Sequence, residues 1–186
     1  VGDNWANTFI DFHLNTGLGL GSGLHRTENP NYNLLIWFVP QKGCRVTHLD
    51  RSRTNIWQTL PQQLQYAWEG LAQQGQKLSF GTILWPHPPD RDPTKWANNL
   101  EAVINTPDLS AVRVKINDEL SYVMVLNDTG QSQTAGPVTT DARLTAVEER
   151  KGKPTAVMVY QGAKVSYEGK ALLALDKAAT VQKAVQ

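Results

Sequence analysis

Cysteine is nearly absent. Cys44 is the single one in 186 residues, which excludes an internal disulfide and with it a bridge-stapled scaffold. Secretion is not excluded by this, because a chain of such length buries about 70% of the surface its unfolded form exposes and needs no bridges. No Cys-His-Asn arrangement is legible, so Cys44 reads as a buried or tolerated thiol rather than a nucleophile. Long apolar runs are missing too. None approaches the roughly 18 residues of a spanning helix, so no membrane insertion is expected. An excess of one charge is also lacking: 18 Lys+Arg against 17 Asp+Glu leave a net +1, too little for a whole-protein field that draws nucleic acid. The chain starts at Val1, which suggests a processed product or an ordered fragment, and a removed signal peptide would leave no trace. A soluble protein, cytoplasmic in preference to other compartments, is the expectation.

What is present is an ordinary globular composition, 40% hydrophobic and 19% charged, and it argues for one domain over residues 1–186. Thr8 to Leu14 reads as a strand with Asp11 and His13 on one face. The alternating glycines at Gly17, Gly19, Gly21 and Gly23 lack the spacing and the following helix of a dinucleotide fingerprint, so a Gly-rich loop or irregular strand is expected. Leu34 to Val39 and Arg45 to Leu49 read as a hairpin through the core. Leu64, Ala67, Trp68, Leu71 and Ala72 follow helical spacing behind Pro61, which predicts an amphipathic helix. A strand from Lys77 to Trp85 ends at a proline cluster. Asp92-Pro93 then supplies a cap and a first-turn proline for a second helix burying Trp96, Leu100, Val103 and Ile104.

Ala111 to Leu126 predicts a hairpin. A two-residue turn at Asp118-Glu119 would put Val112, Val114 and Ile116 with Ser121, Val123 and Val125 on one face, and Arg113, Lys115, Tyr122 and Met124 on the other. Asn127 to Thr140 is polar and holds Gly and Pro, so it is the expected flexible connection. Ala142 to Val147 reads as a strand, Ala156 to Tyr167 as a hairpin turning at Gln161-Gly162, and the residues after Asp176 as a short terminal helix. Together these elements give an α+β class, an antiparallel or mixed sheet built mostly from hairpins with two amphipathic helices and a C-terminal one packed on it.

Chemistry-bearing patterns are few. Three of the four histidines have an aspartate nearby, in Asp11-Phe12-His13, His48-Leu49-Asp50 and His87-Pro88-Pro89-Asp90. His48, Asp50 and His87 have the two-His, one-carboxylate composition of a metal site, with His13 and Asp11 as a further half-site. A His-x-Asp pair and a distant His resemble the ligand set of the iron- and oxoglutarate-dependent oxygenases. His87 lies nearer to the pair than that family places its second His, and no basic residue stands where the co-substrate would be clamped, so membership does not follow. Asp90 and Asp92 have sufficient roles as turn and cap residues. Asp141 with Glu149 and Lys151 superficially matches a metal-dependent nuclease pattern, but the spacing is short and Glu148 to Lys153 reads more simply as a solvated charged turn. No G-x-S-x-G elbow occurs.

Two readings of function follow. The preferred one is a non-enzymatic binding or assembly protein that presents Trp85, Trp96, Arg113, Lys115 and Tyr122 as an aromatic, proline-rich and basic surface. Its ligand is a protein or a single-stranded nucleic acid, on which aromatic stacking and cationic neutralisation would act. The alternative is a metal-dependent enzyme using His48, Asp50 and His87. No cofactor is assigned by either reading.

Overall fold

A computed structural model describes residues 9–13, 33–49, 63–87 and 94–185. The chain divides into two compact units, Val1–Gln76 with Phe80–Pro93, and Lys77–Ser79 with Thr94–Gln186. The split lies away from the 127–140 stretch. Among the described residues the only helix is the four-residue α1, Thr94–Ala97. The class is therefore mainly β, and the α+β expectation with its two amphipathic helices and terminal helix is overturned.

In the first unit, β1 (Phe9–His13), β2 (Asn33–Phe38) and β5 (Thr82–His87) form an antiparallel sheet in the order β1-β2-β5. A separate antiparallel pair joins β3 (Cys44–Leu49) to β4 (Gln63–Trp68). β2 and β3 therefore do not pair with each other as a hairpin. The expected first helix is β4: its residues pair in register with β3, from Cys44 opposite Trp68 to Leu49 opposite Gln63. Alternation at Leu64, Tyr66 and Trp68 satisfies a strand as well as Leu64, Ala67 and Trp68 satisfy a helix, and strand pairing decides between them. Tyr66 stacks edge-on against Phe38 and Phe80, with centroids 5.3 and 5.2 Å apart, and donates to the Val39 carbonyl at 2.5 Å. β5 runs through Pro86, opposite Leu34. Among the described residues it is an edge strand, the sheet position in which proline is tolerated.

The second unit is one eight-stranded sheet of β6 (Leu100–Asn105), β7 (Leu109–Lys115), β8 (Leu120–Asn127), β9 (Gln133–Ala135), β10 (Val138–Thr140), β11 (Leu144–Arg150), β12 (Lys153–Tyr167) and β13 (Lys170–Ala184). The order is β6-β7-β8-β11-β12-β10-β9, with β13 also on β12. The second expected helix stops after one turn, where Asn98 N bonds Thr94 O at 2.9 Å, and the chain leaves at Asn98-Asn99 as β6. The residues expected as the terminal helix continue β13 along β12.

β12 bends the sheet into a nearly closed barrel. Its first half pairs with β11, its second with β10, and the register shifts between Val159 and Gly162. Gly162, expected at a hairpin tip, sits at this bend. Ala163 N and Lys164 N both donate to Asp141 Oδ1 there, at 2.9 Å each. The β12–β13 turn is at Glu168-Gly169 instead, with φ of 49° and 79°, the left-handed pair that a two-residue hairpin turn requires. β9 comes alongside β7, and the φ +58° turn at Gly136 passes so close to Val103 of β6 that a Cβ there would stand 2.7 Å from its Cγ1. The inward residues Ala111, Val123, Val125, Val138, Val147, Val157, Val159 and Val165 fill the interior.

The stretch expected as a flexible connection carries β9 and β10. Asn127 at its start is fully buried. Its amide donates to Gln131 O at 2.8 Å and Thr140 O at 3.3 Å, and its Oδ1 accepts from Thr129 N at 3.1 Å and Thr129 Oγ1 at 2.7 Å.

Candidate functional site

The β7–β8 turn decides which side chains share a surface. Asn117 Oδ1 accepts from Glu119 N and Leu120 N, both at 2.9 Å, and Ile116 N bonds Leu120 O at 2.9 Å. The side-chain acceptor thus makes a three-residue loop where two residues were expected. Val114 pairs with Tyr122 and Arg113 with Val123, a slip of one position from the expected register. Such a slip moves every side chain of one strand to the other face. Arg113 and Lys115 therefore leave the face of Tyr122 and Met124 and join that of Ser121, Val123 and Val125.

Arg113 enters a polar network inside the barrel. Its guanidinium bonds Glu149 Oε1 at 3.2 Å and lies 3.7 Å from Glu101 Oε2 on β6. Glu149, 3% exposed, also accepts from Ser121 Oγ at 2.6 Å and Tyr167 Oη at 2.6 Å. Burial works to raise the Glu149 carboxyl. The hydrogen bonds from Ser121, Tyr167 and Arg113, with the Arg113 charge, outweigh it and hold the group below its ordinary value. Tyr167 is pushed up to about 12, first by burial and then by its bond to Glu149. Glu149 is thus an interior carboxylate, not part of a solvated turn; only Lys151-Gly152, with φ of 51° and 74°, form the turn. The signal was the alternation Thr145, Val147, Glu149 on β11, in phase with Val125, Val123 and Ser121 on β8.

The opposite, outward face of the same strands is apolar. In cross-strand rows stand Leu126, Leu144 and Tyr160, then Met124, Ala146 and Met158, then Tyr122, Glu148 and Ala156. Leu126 is 57% exposed, Tyr160 47%, Met158 41% and Met124 36%. Over β6 and β7 the residues in line with them are more covered: Leu100, Val112 and Val114 are buried, Ala102 and Ser110 half-buried. Tyr122 Oη donates to Glu148 Oε2 at 3.1 Å, and Glu148 Oε1 accepts from Arg150 Nε and Thr155 Oγ1, both at 2.9 Å. A shallow depression lies between Tyr122, Ala146, Glu148, Met158 and Gln182. The uninterrupted apolar runs Val123-Met124-Val125-Leu126 and Val157-Met158-Val159-Tyr160 were the sequence signal for strands apolar on both faces.

The other expected site residues are dispersed. Lys115 is exposed and pairs with Asp118 at 3.1 Å. Trp85 on β5 belongs to the first unit and Trp96 in α1 to the second, both partly buried. His87 is buried at the end of β5, whereas His48 lies on β3 in the other sheet, and Asp50 is outside the described residues. His13 and His87 occupy one register row, on either side of Asn33. Asp11 stands opposite Leu35 in the next row of like phase. Among the described residues no group of three His, Cys, Asp or Glu side chains is placed to hold a metal ion. No described helix is long and apolar enough to cross a membrane. Compared with protein-family models and with curated proteins, the chain matches none.

Proposed function

We propose that the protein is a docking module whose outward β8–β11–β12 face binds a partner protein. The observation that carries this reading is the exposed run Met124, Leu126, Met158 and Tyr160, continuous with Tyr122, Leu144 and Ala146 and beginning where the buried part of the same face ends. Sheets apolar on both faces are ordinarily covered on both. Three strands at about 4.8 Å spacing make a strip about 10 Å wide, and three rows two residues apart make it about 14 Å long. An amphipathic helix is about 10 Å across, so one helix of the partner, laid along the strands, covers the strip. Protein is favoured over nucleic acid because the cations that would neutralise phosphate are engaged elsewhere: Arg113 with Glu149 inside, and Lys115 with Asp118 at the turn.

A photo-crosslinking residue placed at 124, 158 or 160 should capture one and the same partner in cells that make the protein, while the same residue at Thr134 on β9 should not. Leu126→Asp should abolish capture from Met158 without changing thermal stability by more than a few degrees. Equal capture from the face and from Thr134, or capture that survives Leu126→Asp, would refute the docking role.

A further inference from the structure

We infer that the Glu149 network is an acid-released latch that holds the barrel closed. Ladder pairing alone explains contacts of Glu149 with its neighbours: Ser121 is opposite it on β8 and Pro154 opposite it on β12. Tyr167 is different. It lies at the far end of β12, beyond the bend, where the strand has exchanged β11 for β10 and Tyr167 pairs with Val138. Its 2.6 Å bond to Glu149 therefore crosses the interior and ties the β9–β10 and β12–β13 end of the sheet to β11. Arg113 reaches the same carboxylate from β7 and touches Glu101 of β6. One carboxylate thus joins β6 and β7 to the far end of β12, whereas the other buried side-chain ties to that end, Asn127 to Thr140 O at 3.3 Å and Thr140 Oγ1 to Thr145 Oγ1 at 2.8 Å, carry no charge.

Such a tie depends on charge. An ionised carboxylate accepts from Arg113, Ser121 and Tyr167 together, with the strength that charge lends to hydrogen bonds. A carboxylic acid must give up an acceptor position to its own proton and loses the ion pair with Arg113. The titratable and charged groups facing Glu149 are Arg113 and Tyr167, with Glu101 behind Arg113 and Glu168 beside Tyr167. Glu148, next in sequence, points to the outer face and is held by Arg150. The Glu149 carboxyl is lowered from 4.5, so the latch is engaged above that value and lets go as the pH falls through the lower folded one. Release loosens β9, β10 and residues 164–174, whose remaining interior side-chain ties are those of Asn127 and Thr145 to Thr140, while β7, β8 and the first half of β12 keep their ladders on either side of β11.

Hydrogen exchange of the whole chain, corrected for intrinsic rates, tests this at pH 7 and pH 3. In the wild type, protection of residues 133–140 and 164–174 should fall at least tenfold more at pH 3 than that of 121–126 and 144–148. Glu149→Gln and Tyr167→Phe should each show the lowered protection at both pH values. Should either variant fail to fold, Ser121→Ala removes one donor and should move release to higher pH. The latch is overturned if both segments lose protection together, if either variant retains wild-type protection at pH 7, or if Ser121→Ala leaves the release pH unchanged.

Discussion

Replacing Gly162 by alanine should be among the most damaging single-methyl additions in the second unit. At this bend the backbone of β12 runs against Ala142, which is fully buried. A Cβ at position 162 would overlap the Cβ of Ala142 and stand 2.5 Å from its Cα and 2.9 Å from its backbone nitrogen. The obstruction is main chain, so no rotamer relieves it. The segment cannot retreat cheaply either: Arg143 N bonds Tyr160 O at 3.1 Å, Asn127 N bonds Arg143 O at 3.0 Å, and Asp141 bridges the two amides beyond the bend. Overpacking costs about 1–3 kcal/mol, and one backbone hydrogen bond lost in the adjustment adds about 1 kcal/mol. The expected destabilisation is therefore about 2–4 kcal/mol, a large part of the roughly 5–15 kcal/mol that holds a domain folded. At about 4–8 °C per kcal/mol for a unit of this size, the melting temperature should fall by at least about 8 °C. Urea unfolding followed by circular dichroism gives the free energy, and Gly169→Ala is the control. Gly169 has φ +79° but nothing within 4 Å of an added Cβ, so its cost is the left-handed backbone penalty alone, about 1–2 kcal/mol. If Gly162→Ala costs no more than Gly169→Ala, close approach at the bend is not what glycine serves there.

Asn127→Ala should cost about 2–3 kcal/mol, because it removes the buried bond to the Thr140 carbonyl and the bond to Gln131 O and leaves Thr129 without its acceptor; hydrogen exchange should place the loss in 127–140, and a cost below about 1 kcal/mol would contradict the buried geometry. Tyr167 contributes stability as a protonated donor that is fully present below its ordinary value of 10.0 and is lost as the pH rises through about 12. The phenolate difference spectrum between the wild type and Tyr167→Phe should accordingly titrate near 12, and a step near 10 would refute the bond to Glu149. Met158→Lys on the outer face should leave stability within about 1 kcal/mol while weakening partner capture, whereas Val157→Lys, one residue away and facing the core, should prevent folding. Similar behaviour of the two would overturn the assignment of faces.

Much of the strand content was legible in the sequence. β1, β2, β3 and the β7–β8 hairpin stand where alternation or short apolar runs bounded by turn residues put them. The failures have physical causes. Leu64, Ala67, Trp68 and Leu71 have helical spacing, but the free energy of pairing with β3 is not written in β4's own periodicity, and Leu71 is almost wholly exposed. Val103 and Ile104 fit a helix stripe and, being β-branched, fit a strand as well. The residues 176–184 are alanine-rich and would favour a helix alone; their place along β12 is a long-range effect. A continuous β12 was hidden because Gly162 looks like a turn residue, and the sequence does not reveal that Ala142 needs the space.

The candidate site turned on a smaller quantity. Both registers of the β7–β8 hairpin join strands of alternating apolar residues, and only the Asn117 side chain, by accepting two amides, selects the longer loop. In the two-residue register Arg113 and Lys115 flank Tyr122 on the outside, and the surface is basic and aromatic. In the register observed, the same arginine is drawn inside, where its charge requires a carboxylate, and Glu149 two strands away supplies it. The outer face loses its cations and becomes the apolar strip of Tyr122, Met124 and Leu126 in one step. Docking face and interior latch are thus two consequences of one turn. Asn117→Ala removes the acceptor that selects the loop and should weaken both, which no substitution confined to either face would do.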